Sequence, residues 1–313
     1  MRRAPTVLAA ALAISLVATS AGAAQPPAPD WSSESGAAPP PVVLFPPAPD
    51  RPARLRWRYH PVQTWELYLT GGLALSAVAA VAAGSRSDHW RGGVLFDDDV
   101  RRSTRLGTDR QRSRARDASD VLLALSFAGP TLGDGLITSY WYHQSPEVTE
   151  QILLINAETL AFTFAVLATV TSLASRERPY GAECGRGLDS ELRECAGGDR
   201  YRSFFSGHTT GAFAAASVSC MHHAHLPLYG GGAPEVASCA VGYAAAGATA
   251  ALRVMGDVHY ASDVMVGAAW GTLSGLGVPW LLHYRKPQGE RFAPKPSLHL
   301  VPHPTGIAVG GAF

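Results

Sequence analysis

At 313 residues the chain has room for one large domain or two small ones. Its 26 Lys and Arg nearly balance 25 Asp and Glu, so the charge carries no footprint of a nucleic-acid partner. Only 16% of residues are charged against 47% apolar, and long apolar stretches recur from Val62 onward with few alternating patterns, which favours a mostly helical body.

The N-terminus reads as an export signal over residues 1–23. Met1-Arg2-Arg3 supplies the positive start, Val7 to Val17 the apolar run, and Ala21-Gly22-Ala23 the small-residue cleavage site. That run is shorter than the ~20 residues of a membrane span. Residues 24–55, rich in proline and small side chains, read as a disordered tether, and 56–286 as a helical domain. Within it the apolar periodicity predicts six helices, at 62–84, 117–141, 149–175, 208–224, 236–254 and 260–283. Between the first two lies an arginine-rich segment from Arg86 to Arg116, interrupted by Asp97-Asp98-Asp99. Such charge runs are mostly solvated loops, and an anion-attracting loop facing a site is the alternative. The tail 287–313 is proline-rich up to Pro304, with room for a short strand between Leu298 and Phe313.

Three short clusters carry the chemistry: Arg178-Pro179, Ser206-Gly207-His208, and Arg253, His259 and Asp263. His259 and Asp263 are four apart and share a helical face. A carboxylate there can fix the imidazole tautomer and leave the other nitrogen free to attack. Ser206 precedes an apolar helical run and suits an N-cap, while Gly207 permits close backbone approach to an oxyanion at a helix N-terminus. His208 then stands beside the bound anion as a general acid. Arg178 and Arg253, each at the C-terminal end of a helical stretch, offer guanidinium forks that match phosphate geometry. The bland alternatives are a structural His–Asp pair, a plain cap and two arginines neutralising helix dipoles.

In that order and spacing, the three clusters resemble the signature of the type 2 phosphatidic acid phosphatase and vanadium haloperoxidase superfamily, over about residues 60–285. The resemblance implies an all-α, six-helix bundle of the acid phosphatase type. It also implies metal-independent phosphoester hydrolysis through a phosphohistidine, with no cofactor. His259 would be the nucleophile, Asp263 its orienter and His208 the acid and then base. Arg178, Arg253, Ser206 and Gly207 would hold the phosphoryl group. Substrates would be phosphatidic acid-like lipids, isoprenyl pyrophosphates or small phosphoesters. Two other readings stay open: an envelope protein binding anionic headgroups without turnover, and a vanadate-dependent haloperoxidase. One departure weakens the match. Where the family has a lysine seven residues before the first arginine, this chain has Thr171, with Arg176, Arg200 or Arg202 as conceivable substitutes. Phe205 and Leu252 are smaller departures, at positions where the family often has proline and serine.

His222, His223 and His225 read as a solvated helix end rather than a metal site, and Glu158 as an isolated carboxylate either bonded within the bundle or lining the pocket. Cys184, Cys195, Cys220 and Cys239 allow three pairings, of which the local ones, 184 with 195 and 220 with 239, are the simplest. Several helices are apolar enough to span a membrane. Counting spans after an export signal puts Ser206 to His208 in the cytoplasm, in line with the basic segment but exposing Cys184 and Cys195 to reduction. The sequence therefore leans to an exported envelope protein, periplasmic or membrane-associated, with its site outside the cytoplasm.

Overall fold

The computed structural model describes residues 53–85, 90–184, 195, 197–285, 297–303 and 306–312. The expected export signal and nearly all of the expected tether lie outside the described residues. The last three tether residues, 53–55, are already docked: Ala53 O lies 2.9 Å from His143 Nδ1, and Leu55 N–H donates to Ser145 Oγ at 2.8 Å.

All six expected helices form: α1 Thr64–Ala83, α3 Asp109–Ala128, α4 Pro146–Ala174, α5 Gly207–His225, α6 Ala233–Met255 and α7 Ala261–Pro279. Wider π-helical turns continue α3 through Gly129–Tyr142 and α7 through Trp280–Tyr284. Local chemistry sets several starts. Gln63 and Glu66 form a reciprocal cap on α1, and Thr108 and Gln111 do the same on α3. Ser206 caps α5 as expected, its hydroxyl accepting from the Thr209 N–H at 3.4 Å. The tail holds two antiparallel strands, β1 Ser297–His303 and β2 Gly306–Ala312.

The arginine-rich segment is not a solvated loop. It contains a short seventh helix, α2 Asp97–Thr104, whose arginines tie the structure together. Arg101 Nε and Arg105 Nε reach the buried Asp257 at 2.6 and 2.8 Å, and both residues also meet Glu183. Arg116 donates to Gly256 O at 2.7 Å. These carboxylate and carbonyl acceptors draw the guanidinium groups inward.

The charge-poor helix α5 is the centre of the bundle, packed by α3, α4, α6 and α7. Its contact with α7 is a seam of small residues, Gly267, Gly271 and Gly275. A Cβ on Gly271 would stand 2.4 Å from Thr210 O, and one on Gly275 2.6 Å from Ala214 O, so the backbones meet where no side chain fits. A second cluster at the far end of the bundle packs Trp57, Ile152, Ile155, Val218, Leu228 and Tyr284.

The outer helices turn apolar side chains outward: Leu75 on α1, Val121 and Leu125 on α3, Val241 on α6, Met265 and Leu273 on α7. Five helical segments are long and apolar enough to cross a membrane. Exposed Trp65, Tyr68, Tyr140, Trp141, Tyr142 and Trp280 add the aromatic side chains that favour a bilayer interface. This belt fits membrane association.

Of the histidine cluster, His222 and His223 are buried rather than solvated, and His225 is half-buried. His222 sits between Tyr284 Oη (2.7 Å) and Asn156 Oδ1 (3.0 Å), and His223 between Glu235 and Asp134. Both local cysteine pairs form disulfides, Cys184–Cys195 and Cys220–Cys239.

Overpacking a close backbone contact costs ~1–3 kcal/mol. Gly271→Ala is therefore expected to lower the melting temperature in detergent clearly. Gly277→Ala, with nothing within 4 Å of the added carbon, should melt like the parent. Equal melting of the two variants would contradict the seam.

Candidate active site

The site lies at the end of the bundle where α4 and α6 finish and α5 and α7 begin. The chain leaves α4 through Ser175 in a left-handed conformation (φ 45°) and turns Arg176 inward. Arg176 is fully buried. Its guanidinium donates to Asp263 Oδ1 at 2.6 Å, Asp97 Oδ2 at 2.7 Å, Ser262 Oγ at 2.8 Å and Gly92 O at 3.1 Å. Trp90 and Tyr260 sandwich it, each ring centroid 4.2 Å away. So engaged, Arg176 is no substitute for the missing lysine. Arg200 is likewise committed, to Glu177 and Gly181 O.

Two residues on, Arg178 stands in extended backbone before a short 3₁₀ turn, Pro179–Glu183, rather than at the end of a helix as expected. Arg253 does lie in the last turn of α6, and it is buried. It donates to Ser119 Oγ at 3.1 Å and Asp120 Oδ1 at 3.0 Å. The same Asp120 oxygen lies 2.8 Å from His208 Nε2. Asp120 thus links one expected phosphate-binding arginine to the expected general acid, and the sequence reading missed it. Its signal was its place on α3, where arginine-rich sequence gives way to the apolar run Val121 to Leu123.

His259 follows the turn between α6 and α7 and is 3% exposed. Its Nδ1 lies 2.8 Å from Ser203 O. A carbonyl only accepts, so Nδ1 carries the hydrogen and Nε2 keeps its lone pair. Asp263 does not make the direct hydrogen bond expected of it, since Oδ2 stands 3.7 Å from Nδ1. Instead that oxygen accepts from the Ser203 hydroxyl at 2.5 Å and the Tyr260 N–H at 2.9 Å. Asp263 holds the peptide that holds the imidazole. Burial lowers the His259 pKa to about 4, with Arg178 and Arg253 adding to the shift and Asp263 opposing it.

Ser206 is fully buried, and its hydroxyl also accepts from Thr209 Oγ1–H at 3.0 Å, so the side chain serves the cap. The groups of this motif that reach the cavity are Gly207 and His208. They share a cavity of about 470 Å³ with Arg178 and His259. Both imidazoles thus border one space, which is what separate motifs need in order to act together. Thr171 and Arg202 border it too. Asp199 borders it as well, and the rest of the wall is apolar, with Ala77, Val78 and Val81 from α1, Phe164 and Leu167 from α4, and Phe205.

A buried imidazole, a half-buried one, guanidinium groups and a helix N-terminus thus meet around a largely apolar cavity in a helical bundle. Residues 152–287, the stretch that carries all three motifs, match the family model of the PAP2 superfamily. That match supports phosphatase-type activity in general. No curated protein and no solved structure matches the chain.

Removing one partner of a buried ion pair costs ~3–5 kcal/mol. Asp97→Ala is accordingly expected to lower thermal stability in detergent by that order, because Arg176 keeps its charge and loses a carboxylate. Asp99→Ala, on the exposed face of α2, should change little. Similar melting of both variants would contradict the structural role of Arg176.

Proposed function

We propose that the protein is a membrane-embedded phosphatase that hydrolyses the phosphomonoester or pyrophosphate headgroup of a lipid through a phosphohistidine intermediate. The observation that carries this reading is the two-sided cavity. Imidazole and guanidinium groups form one part and apolar side chains of α1 and α4 the other, as an amphiphile requires. A small soluble phosphoester would have no use for the apolar wall.

In the first step the Nε2 lone pair of His259 attacks phosphorus while the bond to the leaving oxygen breaks. His208 gives that oxygen its proton. Water then attacks the phosphohistidine, with His208 taking its proton and the His259–phosphorus bond breaking. Arg178, Arg253 and the N-terminus of α5 hold the charge on the equatorial oxygens. Asp120 occupies His208 and Arg253 beforehand, so a bound phosphoryl group would compete with its carboxylate for Arg253. Arg202 borders the cavity with Thr171 and supplies the cation that the family draws from lysine. The oxidised Cys184–Cys195 pair on the loop between the first two motifs favours an oxidising compartment, and hence a site outside the cytoplasm.

Purified full-length protein in detergent should release phosphate from phosphatidic acid faster than from a short-chain soluble monoester, and His259→Ala should reduce release to background. Binding of phosphatidic acid without turnover would support the non-catalytic headgroup-binding reading that Thr171 motivates. Halide oxidation dependent on added vanadate would support the haloperoxidase.

Two further outcomes test the parts. Charge-assisted contacts contribute ~1.5–3 kcal/mol. Arg202→Ala is thus expected to lower kcat/KM by roughly 10- to 100-fold, and an unchanged value would remove Arg202 from the site. The nucleophile acts as neutral imidazole and its pKa is lowered to about 4. Activity should rise as pH falls below the usual histidine range, because His208, its pKa also lowered to about 4 by burial and by Arg253, gains the proton it donates, and decline only as His259 is protonated near 4. An acid limb near pH 6.5 would contradict the buried, arginine-flanked environment of His259.

A further inference from the structure

A second cluster of ionisable side chains lies away from the catalytic end, where the approach segment meets the first turn of α1. His60 comes from the extended stretch before α1, Glu66 from its first turn, Glu158 from α4 and His283 from the π-helical turn after α7. Glu66, Glu158 and His283 are buried, at 2%, 3% and 0% exposure, and His60 is partly exposed. One ligand-type atom from each of His60, Glu66 and His283 lies within 4.8 Å of the other two.

The hydrogen-bond arithmetic at His283 does not close with a neutral ring. Its Nε2 is 2.7 Å from Glu158 Oε2, and its Nδ1 is 3.1 Å from the carbonyl oxygen of His60. Both neighbours accept and neither carries a hydrogen when Glu158 is ionised. A neutral imidazole has one N–H and satisfies only one of them. The other Glu158 oxygen, Oε1, is buried with no hydrogen-bond partner. Among the described residues no Arg or Lys pairs with Glu66 or Glu158, so the cluster is short of positive charge. Burying two carboxylates in that condition is costly.

We propose that this cluster is a structural site for one divalent transition-metal ion of the zinc class. His60, Glu66 and the Nδ1 atom of His283 are its protein ligands. Glu158 accepts the Nε2–H of His283 and so orients the ring, the usual arrangement of a carboxylate behind a metal-bound histidine. One doubly charged ion balances the two carboxylates and leaves both imidazoles neutral. Nitrogen and oxygen donors of this mixture suit zinc more than magnesium or calcium. Around tetrahedral zinc such donors stand about 3.3 Å apart, so the set tightens by roughly 1.5 Å through side-chain rotation. Partial exposure of His60 provides the entry path. Bound there, the ion would fasten the approach segment and α1 to α4 and the end of α7. It takes no part in phosphoryl transfer.

The test uses untagged full-length protein in detergent, stripped with a chelator, then equilibrated with zinc or manganese and freed of excess ion. Metal content and melting temperature are measured together. The expected result is about one zinc per chain and a raised melting temperature, with both lost in His60→Ala and in Glu66→Gln. His259→Ala should keep the full equivalent, which separates this site from the catalytic histidines. His60 is partly exposed, so its variant has the smaller burden on folding. Wild-type protein that melts cooperatively yet retains less than about a tenth of an equivalent would overturn the proposal. So would zinc binding undiminished in His60→Ala.

Discussion

A single buried guanidinium organises the end of this protein that holds the candidate site. Arg176 has no access to water, so its charge must be met entirely by the chain. Asp97 from α2 and Asp263 from α7 meet it, with Trp90 and Tyr260 closing over the two faces. Three stretches far apart in sequence are thereby held together: the start of α2, the exit from α4 and the start of α7. The catalytic geometry follows from that junction. Asp263, fixed by Arg176, holds the Ser203 hydroxyl, and the carbonyl of Ser203 fixes the tautomer of His259.

The second constraint is the central position of α5. Its alanines, glycine and threonines let α7 approach along Gly267, Gly271 and Gly275. That contact brings the N-termini of α5 and α7 side by side, with the C-terminus of α6 beside them. The two helix starts give the region its backbone donors, and together with the end of α6 they place His208, Arg253 and His259 around it. The outer helices α1 and α4 then decide what can enter. Their apolar inner faces continue the cavity, while the outward faces of α1 suit lipid. A cationic end and an apolar wall thus share one cavity, which is what supports the proposal of an amphiphilic substrate.

The helices were legible because each is a long apolar stretch bounded by turn or cap residues, and the six expected ranges fall on the six long helices. The motif residues were legible for a different reason: imidazole, guanidinium and glycine at helix ends have few structural uses in that combination. The arginine-rich segment was misread as solvated because its partners, Asp257, Glu183 and Gly256 O, lie at least 67 positions away from it. Asp263 was assigned a direct bond to His259 because i to i+4 spacing permits one on a helix. His259, however, precedes α7, and the extended backbone at Tyr260 swings its ring toward Ser203 instead. Asp120 escaped notice because its one local signal, a carboxylate where arginine-rich sequence turns apolar, does not reveal partners as distant along the chain as His208 and Arg253.

By itself the sequence determined that the chain is a charge-poor helical bundle carrying three phosphate-type motifs, since periodicity, capping residues and side-chain chemistry are properties of neighbours along the chain. Tertiary structure alone decided which arginines are used inward, that Ser206 serves a cap, that Asp263 acts through a peptide carbonyl, and that Glu158 meets His283. Each of those outcomes depends on a buried charge or polar group finding a partner across the bundle. Such pairings are set by which groups are desolvated together, and no local pattern encodes that.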